Sequence, residues 1–138
     1  MAKDIFHQHV KQLLINEGWT VTHDPYLIRS ENKIQYQIDL GAEKIVAAER
    51  GSEKIAVEIK SFLSESLISD FHEALGQYLN YRVGIEEVEA ERTLFLALPE
   101  QAYTYLSGLP LAMRSLEVYK INLIVYKTSE NTIVLWKM

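Results

Sequence analysis

The sequence predicts an α/β fold in which a mixed central sheet is flanked by helices and a β-hairpin forms the C-terminal end. Three observations support this class. Two long segments carry apolar residues at helical spacing, several shorter ones alternate apolar and polar residues, and Thr93 to Leu98 is almost entirely apolar, as in a strand buried on both faces. The elements follow the order helix, three or four strands, helix, strand, short helix and two strands.

The N-terminal helix is predicted from Asp4 to Glu17, where apolar residues recur every three or four positions and the next residue is a glycine. A short strand from Trp19 to His23 follows, and Asp24-Pro25 ends it. Ser30 to Lys33 is a polar turn. After it, Ile34 to Ile38 alternates as a half-buried strand does.

The middle of the chain is predicted to form a β-hairpin followed by a second amphipathic helix. The hairpin strands are Lys44 to Glu49 and Lys54 to Phe62, joined by a turn. Ser64 to Ser66 offers capping hydroxyls for a helix that runs to about Gly84. The segment Glu86 to Glu91 carries four glutamates and is predicted to be a solvated loop.

The C-terminal third is predicted to add two short helices and a second hairpin. Glu100 to Ser107 is helical, a Gly-Leu-Pro break follows, and Leu111 to Tyr119 is more weakly helical. Ile121 to Tyr126 and Thr132 to Trp136 flank a polar turn and form the hairpin.

Length and composition favour a single domain over residues 1–138. The chain has no cysteine, which excludes a disulfide scaffold, a cysteine nucleophile and a thiolate metal site. No apolar stretch approaches the ~20 residues of a bilayer span, and the N-terminus lacks an apolar signal core, so we expect a cytoplasmic protein without membrane contact. The net charge of −5 argues against a passive nucleic-acid coat protein, but not against an enzyme that meets phosphate through a metal ion.

Three charged residues carry the candidate chemistry. Asp39 follows the predicted strand Ile34 to Ile38, and Glu58 and Lys60 lie further on in an apolar strand. Because side chains alternate along a strand, Glu58 and Lys60 share one face while Ile59 enters the core. Two carboxylates suit Mg²⁺ or Mn²⁺, which polarises a phosphate, and the lysine side chain can orient or deprotonate the attacking water and offset developing charge. The alternative is a surface salt bridge on an edge strand.

The order of elements around this triplet resembles the αβββαβ core of the PD-(D/E)xK nuclease superfamily, which has the restriction-endonuclease-like fold. In that pattern Asp39 and Glu58 match the two acids and Lys60 the lysine. The second helix adds Gln77 and Tyr81, a spacing similar to that of RecB-like members, in which these two residues point at the metal site and the nucleic acid. Residues four apart share a helix face, but the alternative is an ordinary solvated stripe.

The N-terminal helix of these nucleases often carries an acid at the place where this chain has His7, 11 residues before Gly18. Three interpretations of His7 stay open: a weak metal ligand, a general base, or a histidine of the helix surface. His9 cannot share its face on a helix. The run His23-Asp24-Pro25 is interpreted as the end of a strand, and His72 has no evident partner.

Four segments carry a closer resemblance, which extends over nearly the whole chain: AKDIFH from Ala2, GWTVTHDP from Gly18, IDLGAE from Ile38 and AVEIKSF from Ala56. They resemble the XisH family of fdxN-element excision controlling factors. This resemblance implies DNA-linked work beside a site-specific recombinase, an endonuclease-like fold and a companion protein, XisI.

Two functions from different classes follow. The first is a Mg²⁺-dependent DNA endonuclease-like enzyme, in which Asp39 and Glu58 bind the metal, Lys60 acts at the water, and Gln77 and Tyr81 support the site. The second is an accessory module that binds DNA, the recombinase or an XisI-like companion without hydrolysis; the acidic charge and the lack of a basic stripe favour it. A third possibility is a protein with a purely structural role, which binds another acidic or hydrophobic surface. The sequence leaves open the DNA site and the oligomeric state, including a homo-oligomer.

Overall fold

The computed structural model describes residues 2–30, 33–36, 45–130 and 132–138. Its helices are α1 (Ala2–Asn16), α2 (Leu67–Val88), α3 (Glu100–Ser107) and α4 (Pro110–Val118). Its strands are β1 (Thr20–His23), β2 (Ile28–Ser30), β3 (Lys33–Tyr36), β4 (Ile45–Arg50), β5 (Glu53–Ile59), β6 (Arg92–Pro99), β7 (Leu123–Tyr126) and β8 (Ile133–Lys137). No helix within these ranges is both long and apolar enough to cross a membrane.

The predicted mixed sheet with a C-terminal hairpin is confirmed. Strands β1, β4, β5, β6, β7 and β8 lie side by side in that order. The pairs β5–β6 and β6–β7 are parallel, and the pairs β1–β4, β4–β5 and β7–β8 are antiparallel. Within this sheet, the chain from α1 to β6 follows the order helix, three strands, helix, strand.

A small two-stranded ribbon, β2–β3, lies outside the main sheet and was only half expected. The sequence predicted the second of its strands from Ile34 to Ile38, and the structure has it at Lys33–Tyr36. Residues 37–44 lie outside the described ranges. The first strand, Ile28–Ser30, has three residues. So short a segment carries no readable period, which is why the sequence did not indicate it.

Helices cover both faces of the main sheet. On one face α1 packs Val10, Leu13 and Leu14 against strand residues that include Val57 and Ile59. On the other face α2, α3 and α4 cover the opposite side chains of the same strands, such as Ala56. Since β5 is buried on both sides, every side chain at its C-terminal end enters one layer or the other.

Helix α2 is one turn longer than predicted, so the interpretation of Glu86 to Glu91 as a loop is wrong for its first residues. The helix begins where Ser66 accepts a hydrogen bond from the Ser69 amide. Its apolar stripe continues through buried Ile85 and half-buried Val88. Burial of this last turn extends the helix beyond Gly84, while Glu86 and Glu87 lie on its exposed side.

Candidate functional site

Glu58 and Lys60 lie together at the C-terminal end of β5, on the face covered by α2. The Glu58 side chain is 1% exposed and that of Lys60 is 10% exposed, and Lys60 Nζ is 4.0 Å from Glu58 Oε2. Glu58 pairs with Ile45 of β4 on one side and Leu96 of β6 on the other. An internal strand carries the pair, so the interpretation as an exposed salt bridge on an edge strand is wrong.

Helix α2 supplies the polar partners of Lys60. The Lys60 ammonium donates a hydrogen bond to Gln77 Oε1, and Glu73 Oε1 is 3.9 Å from Lys60 Nζ. Gln77 and Glu73 are one helical turn apart and therefore share a face. A buried ammonium needs such partners, because an unpaired charge in a low-dielectric interior is costly. The predicted approach of Gln77 to Lys60 is therefore seen in the structure.

The backbone around Lys60 is fixed from both sides. Its amide donates to the Ala97 carbonyl at 2.9 Å, which extends the pairing of β5 with β6, and its carbonyl accepts from Tyr126 Oη at 3.4 Å. Two residues later Phe62 has φ of 54°, a left-handed conformation that is uncommon outside glycine. Its buried ring offsets that strain, and the chain turns sharply from β5 toward α2.

The contacts around Lys60 do not establish the place of two predicted site residues, Tyr81 and Asp39. Tyr81 lies one turn beyond Gln77, half-buried against the apolar cluster under α2, and its role at the site stays a prediction. Asp39 lies outside the described residues, so its approach to Glu58 also stays a prediction. Within the described part of the chain, no three histidine, aspartate or glutamate side chains are grouped as metal ligands. A metal site here depends on Asp39.

His7 is buried rather than on the helix surface, so that interpretation is wrong. Its Nε2 lies 2.8 Å from Asp24 Oδ1, and Lys11 Nζ donates to Asp24 Oδ2 at 2.6 Å. Burial by itself raises the pKa of Asp24. The hydrogen bond from Lys11 and the proximity of His7 lower it by more than burial raises it, so the pKa of Asp24 lies below its ordinary value. Asp24 is thus a member of a polar cluster and does more than end a strand.

The chain that follows Asp24 pairs with the strand next to Glu58. The Tyr26 amide, two residues after Asp24, donates to the Ile45 carbonyl at 2.7 Å, and Ile45 pairs directly with Glu58. His7 and Asp24 are 17 residues apart, and no local pattern in the sequence connects them. The other two histidines that lie on helices make different contacts. His9 Nε2 is 2.7 Å from the Lys127 carbonyl, and exposed His72 lies beside Phe71.

A buried arginine that the sequence did not indicate ties α2 to the sheet. Arg92 donates to both Glu89 oxygens at 2.9 and 2.8 Å, to the Ile55 carbonyl at 2.9 Å, and to Glu49 Oε2 at 3.4 Å. Tyr26 Oη donates to Glu89 Oε1 at 2.8 Å. Burial and this hydrogen bond raise the pKa of Tyr26 to about 12. The C-terminal end of α2 is therefore fixed to the strand that carries Glu58 and Lys60.

Comparison with known proteins gives a consistent result. The family model described as XisH protein matches residues 1–134. The crystal structure of an XisH family protein from Nostoc punctiforme PCC 73102 is 37% identical, with a TM-score of 0.86, over 97% of this chain and 99% of that chain. A protein from Anabaena variabilis described as a fdxN element excision controlling factor is 38% identical, with a TM-score of 0.87, over 98% of this chain and 99% of that chain.

No match was found among curated proteins. The family model nevertheless spans almost the whole chain, and both solved structures share its fold from end to end. On this basis, with the sheet and the site in place, the chain belongs to the XisH family.

Proposed function

We propose that this protein acts in the excision of a DNA element through a divalent-metal-dependent site for phosphodiester hydrolysis. The observation that carries this proposal is the buried pair of Glu58 and Lys60, held against Gln77 of α2. A buried ion pair is weak evidence for stability, since apolar residues of similar volume often replace such pairs at no cost. Its presence at the end of an internal strand points to chemistry instead.

The donor set fits Mg²⁺ or Mn²⁺. Hard divalent cations prefer carboxylate oxygens, and Glu58 supplies one carboxylate that is almost fully removed from water. Asp39 is proposed as the second ligand, which gives the sequence pattern of the PD-(D/E)xK superfamily. When bound, the ion polarises the phosphate and offsets charge that develops on its oxygens. Lys60 positions the attacking water as the ammonium or receives its proton as the neutral amine, and the hydrogen bond to Gln77 holds the side chain in place.

Tyr81 and His7 have supporting roles in this proposal. Tyr81 lies one turn from Gln77 on the same helix, where it can contact nucleic acid beside the site. His7 occupies the helix position at which nucleases of the PD-(D/E)xK superfamily often carry an acid, and its partner Asp24 adds a carboxylate just after the strand that pairs with β4. DNA is a proposed partner, as the relative from Anabaena variabilis is described as a fdxN element excision controlling factor. A site-specific recombinase and an XisI-like companion are proposed from the family resemblance.

One observation favours a second candidate, a non-catalytic accessory module. The chain carries a net charge of −5, and several described Lys and Arg side chains already lie in ion pairs, including Lys11, Arg50, Lys54 and Arg92. Carboxylates hold these cations, whereas phosphate contacts of Lys and Arg supply most non-specific DNA affinity. Such a module would retain the fold and act through its protein partners.

Nicking of supercoiled DNA in the presence of Mg²⁺, Mn²⁺ or EDTA separates these functions, with and without the XisI-like companion. Glu58→Gln preserves shape but removes ligand charge, so we expect cleavage to fall about 100-fold or more, with metal binding measured by calorimetry reduced in parallel. Lys60→Ala should reduce cleavage more than metal binding. Glu86→Gln, on the exposed side of α2, is the matched control and should cleave as the parent does.

Two results would contradict the nuclease proposal. Parent-rate cleavage by Glu58→Gln would place the activity in another site or in a contaminant. Metal binding without cleavage under every condition would favour the accessory module.

A further inference from the structure

A cavity lies at the opposite end of β5 from Glu58 and Lys60. It encloses about 420 Å³, a volume typical of ligand sites, at the start of β5 and β6. Three aromatic side chains form its apolar wall: Trp19, Phe95 and Trp136. The two indole rings are stacked with centroids 6.1 Å apart, and Phe95 meets Trp136 edge-on at 5.2 Å. The proposed hydrolysis site uses none of these residues.

The chain itself shows which chemistry this aromatic wall accepts. The Arg50 guanidinium lies over the Trp19 ring, 4.5 Å from its centroid, which is the geometry of a cation–π contact. Arg50 also donates to the Glu17 carbonyl at 3.1 Å and to Glu53 Oε1 at 3.3 Å. A guanidinium is therefore already held between an indole face and the polar groups of the rim.

The charges that line the cavity leave an acidic surplus. Three carboxylates line it, from Glu17, Glu53 and Glu91, against two cations, Arg50 and Lys54. Both cations are engaged by acids, since Lys54 Nζ lies 4.0 Å from Glu91 Oε1 and Arg50 bonds Glu53. The third carboxylate, Glu17, accepts a hydrogen bond from Trp136 Nε1 at 3.2 Å and has no cation paired with it among these lining residues. A phosphate or another anion would meet the negative rim, whereas a further cation would meet this carboxylate beside the aromatic wall.

An open strand edge adjoins the cavity. Strand β8 is the last of the main sheet, and within the described ranges no strand pairs with its outer edge. Trp136 of β8 and the next residue but one, Met138, both line the cavity. Val134 of the same strand is largely exposed. An unprotected apolar edge is a template for an added strand, and main-chain pairing there would deliver a side chain to the cavity.

We propose that this cavity binds an arginine or lysine side chain carried by an extended segment of a partner protein that pairs with β8. The aromatic wall packs the apolar stem and the face of the cation, and the carboxylates of the rim take its charge. A free amine would gain only the cavity contacts, whereas a peptide also gains hydrogen bonds along the strand edge. This inference does not depend on the proposed nuclease activity.

Intrinsic fluorescence tests the proposal without a label, because both tryptophans of the chain line the cavity. The probes are an acetylated, amidated pentapeptide Val-Thr-Arg-Val-Thr and the same peptide with norleucine in place of arginine, titrated into the full chain. Agmatine tests a free cation, and adenosine monophosphate tests an anionic aromatic ligand. We expect saturable quenching by the arginine peptide, with affinity at least tenfold above that of the norleucine peptide.

The double variant Glu53→Gln/Glu91→Gln should lower the affinity for the arginine peptide about fivefold, because two carboxylates of the rim are lost. Both side chains are largely exposed, so their replacement leaves the fold intact. Glu130→Gln, which lies outside the cavity lining, is the control and should leave affinity unchanged. Equal affinity for the norleucine peptide, tighter binding of the nucleotide, or no saturable quenching by any probe would overturn the cation site. Agmatine binding tenfold more tightly than the peptide would overturn the assignment to a protein partner.

Discussion

Replacing Arg92 with methionine tests how strongly the end of α2 is attached to the sheet. The arginine side chain is 1% exposed, and its stem is matched in size by methionine. The change removes the paired hydrogen bonds to Glu89 and the bond to the Ile55 carbonyl, while the apolar contacts of the stem are kept. The loss then reports on charge and hydrogen bonding rather than on a cavity.

The expected cost follows from these contacts. Removing one partner of a buried ion pair costs about 3–5 kcal/mol, since the other charge is left without compensation. The Glu89 side chain is 26% exposed, so water recovers part of this loss, and we expect the lower end, about 3 kcal/mol. At about 4 °C per kcal/mol for a chain of this size, the melting temperature should fall by about 12 °C.

Urea denaturation followed by circular dichroism measures this free energy of unfolding. The matched control is Arg114→Met, whose partner Glu117 is on the same exposed helix surface; it should change stability by less than about 0.5 kcal/mol. A loss below about 1 kcal/mol for Arg92→Met would refute the reasoning.

The stability difference between the parent and Arg92→Met should depend on pH. Glu89 has a pKa below its ordinary value of 4.5, chiefly because Arg92 donates hydrogen bonds to it. A carboxyl with a lowered pKa in the folded state stabilises the protein above its unfolded pKa, and that contribution is lost as the pH falls through the folded pKa. The difference between the parent and Arg92→Met should therefore narrow below about pH 4.

Three further predictions concern single positions. Asp24→Asn should cost about 1 kcal/mol at pH 7, because the carboxylate that accepts from Lys11 and lies against His7 is lost. The pKa of Asp24 is lowered in the folded state, so acid titration of stability should show the difference between parent and variant shrinking as the pH falls below the ordinary value of 3.8. Gly18→Ala should cost about 1 kcal/mol in urea denaturation, since Gly18 has φ of 91°. If Lys60 acts in hydrolysis, Gln77→Leu should lower the nicking rate about tenfold or more while changing the melting temperature by less than about 5 °C, and an unchanged rate would remove Gln77 from the site.

The sequence by itself determined the elements that have a clear local period. The alternation along Ile55 to Lys60 placed Glu58 and Lys60 on one face, and the apolar run Thr93 to Leu98 indicated an internal strand, because these properties depend only on near neighbours in the chain. The spacing of α2, together with the resemblance to RecB-like nucleases, predicted the approach of Gln77 to Lys60. These signals, with the family resemblance, were sufficient for the fold class and for bringing Glu58, Lys60 and Gln77 together, while the roles of these residues stay predictions.

Only the tertiary structure decided which distant residues meet. It placed β5 inside the sheet, and so turned a pair that could have been a surface salt bridge into a buried one. It joined His7 to Asp24 across 17 residues, and Glu17 to Trp136 across 119 residues at the aromatic cavity. Such contacts depend on strand order and helix packing, which bring together segments whose local sequences carry no information about each other.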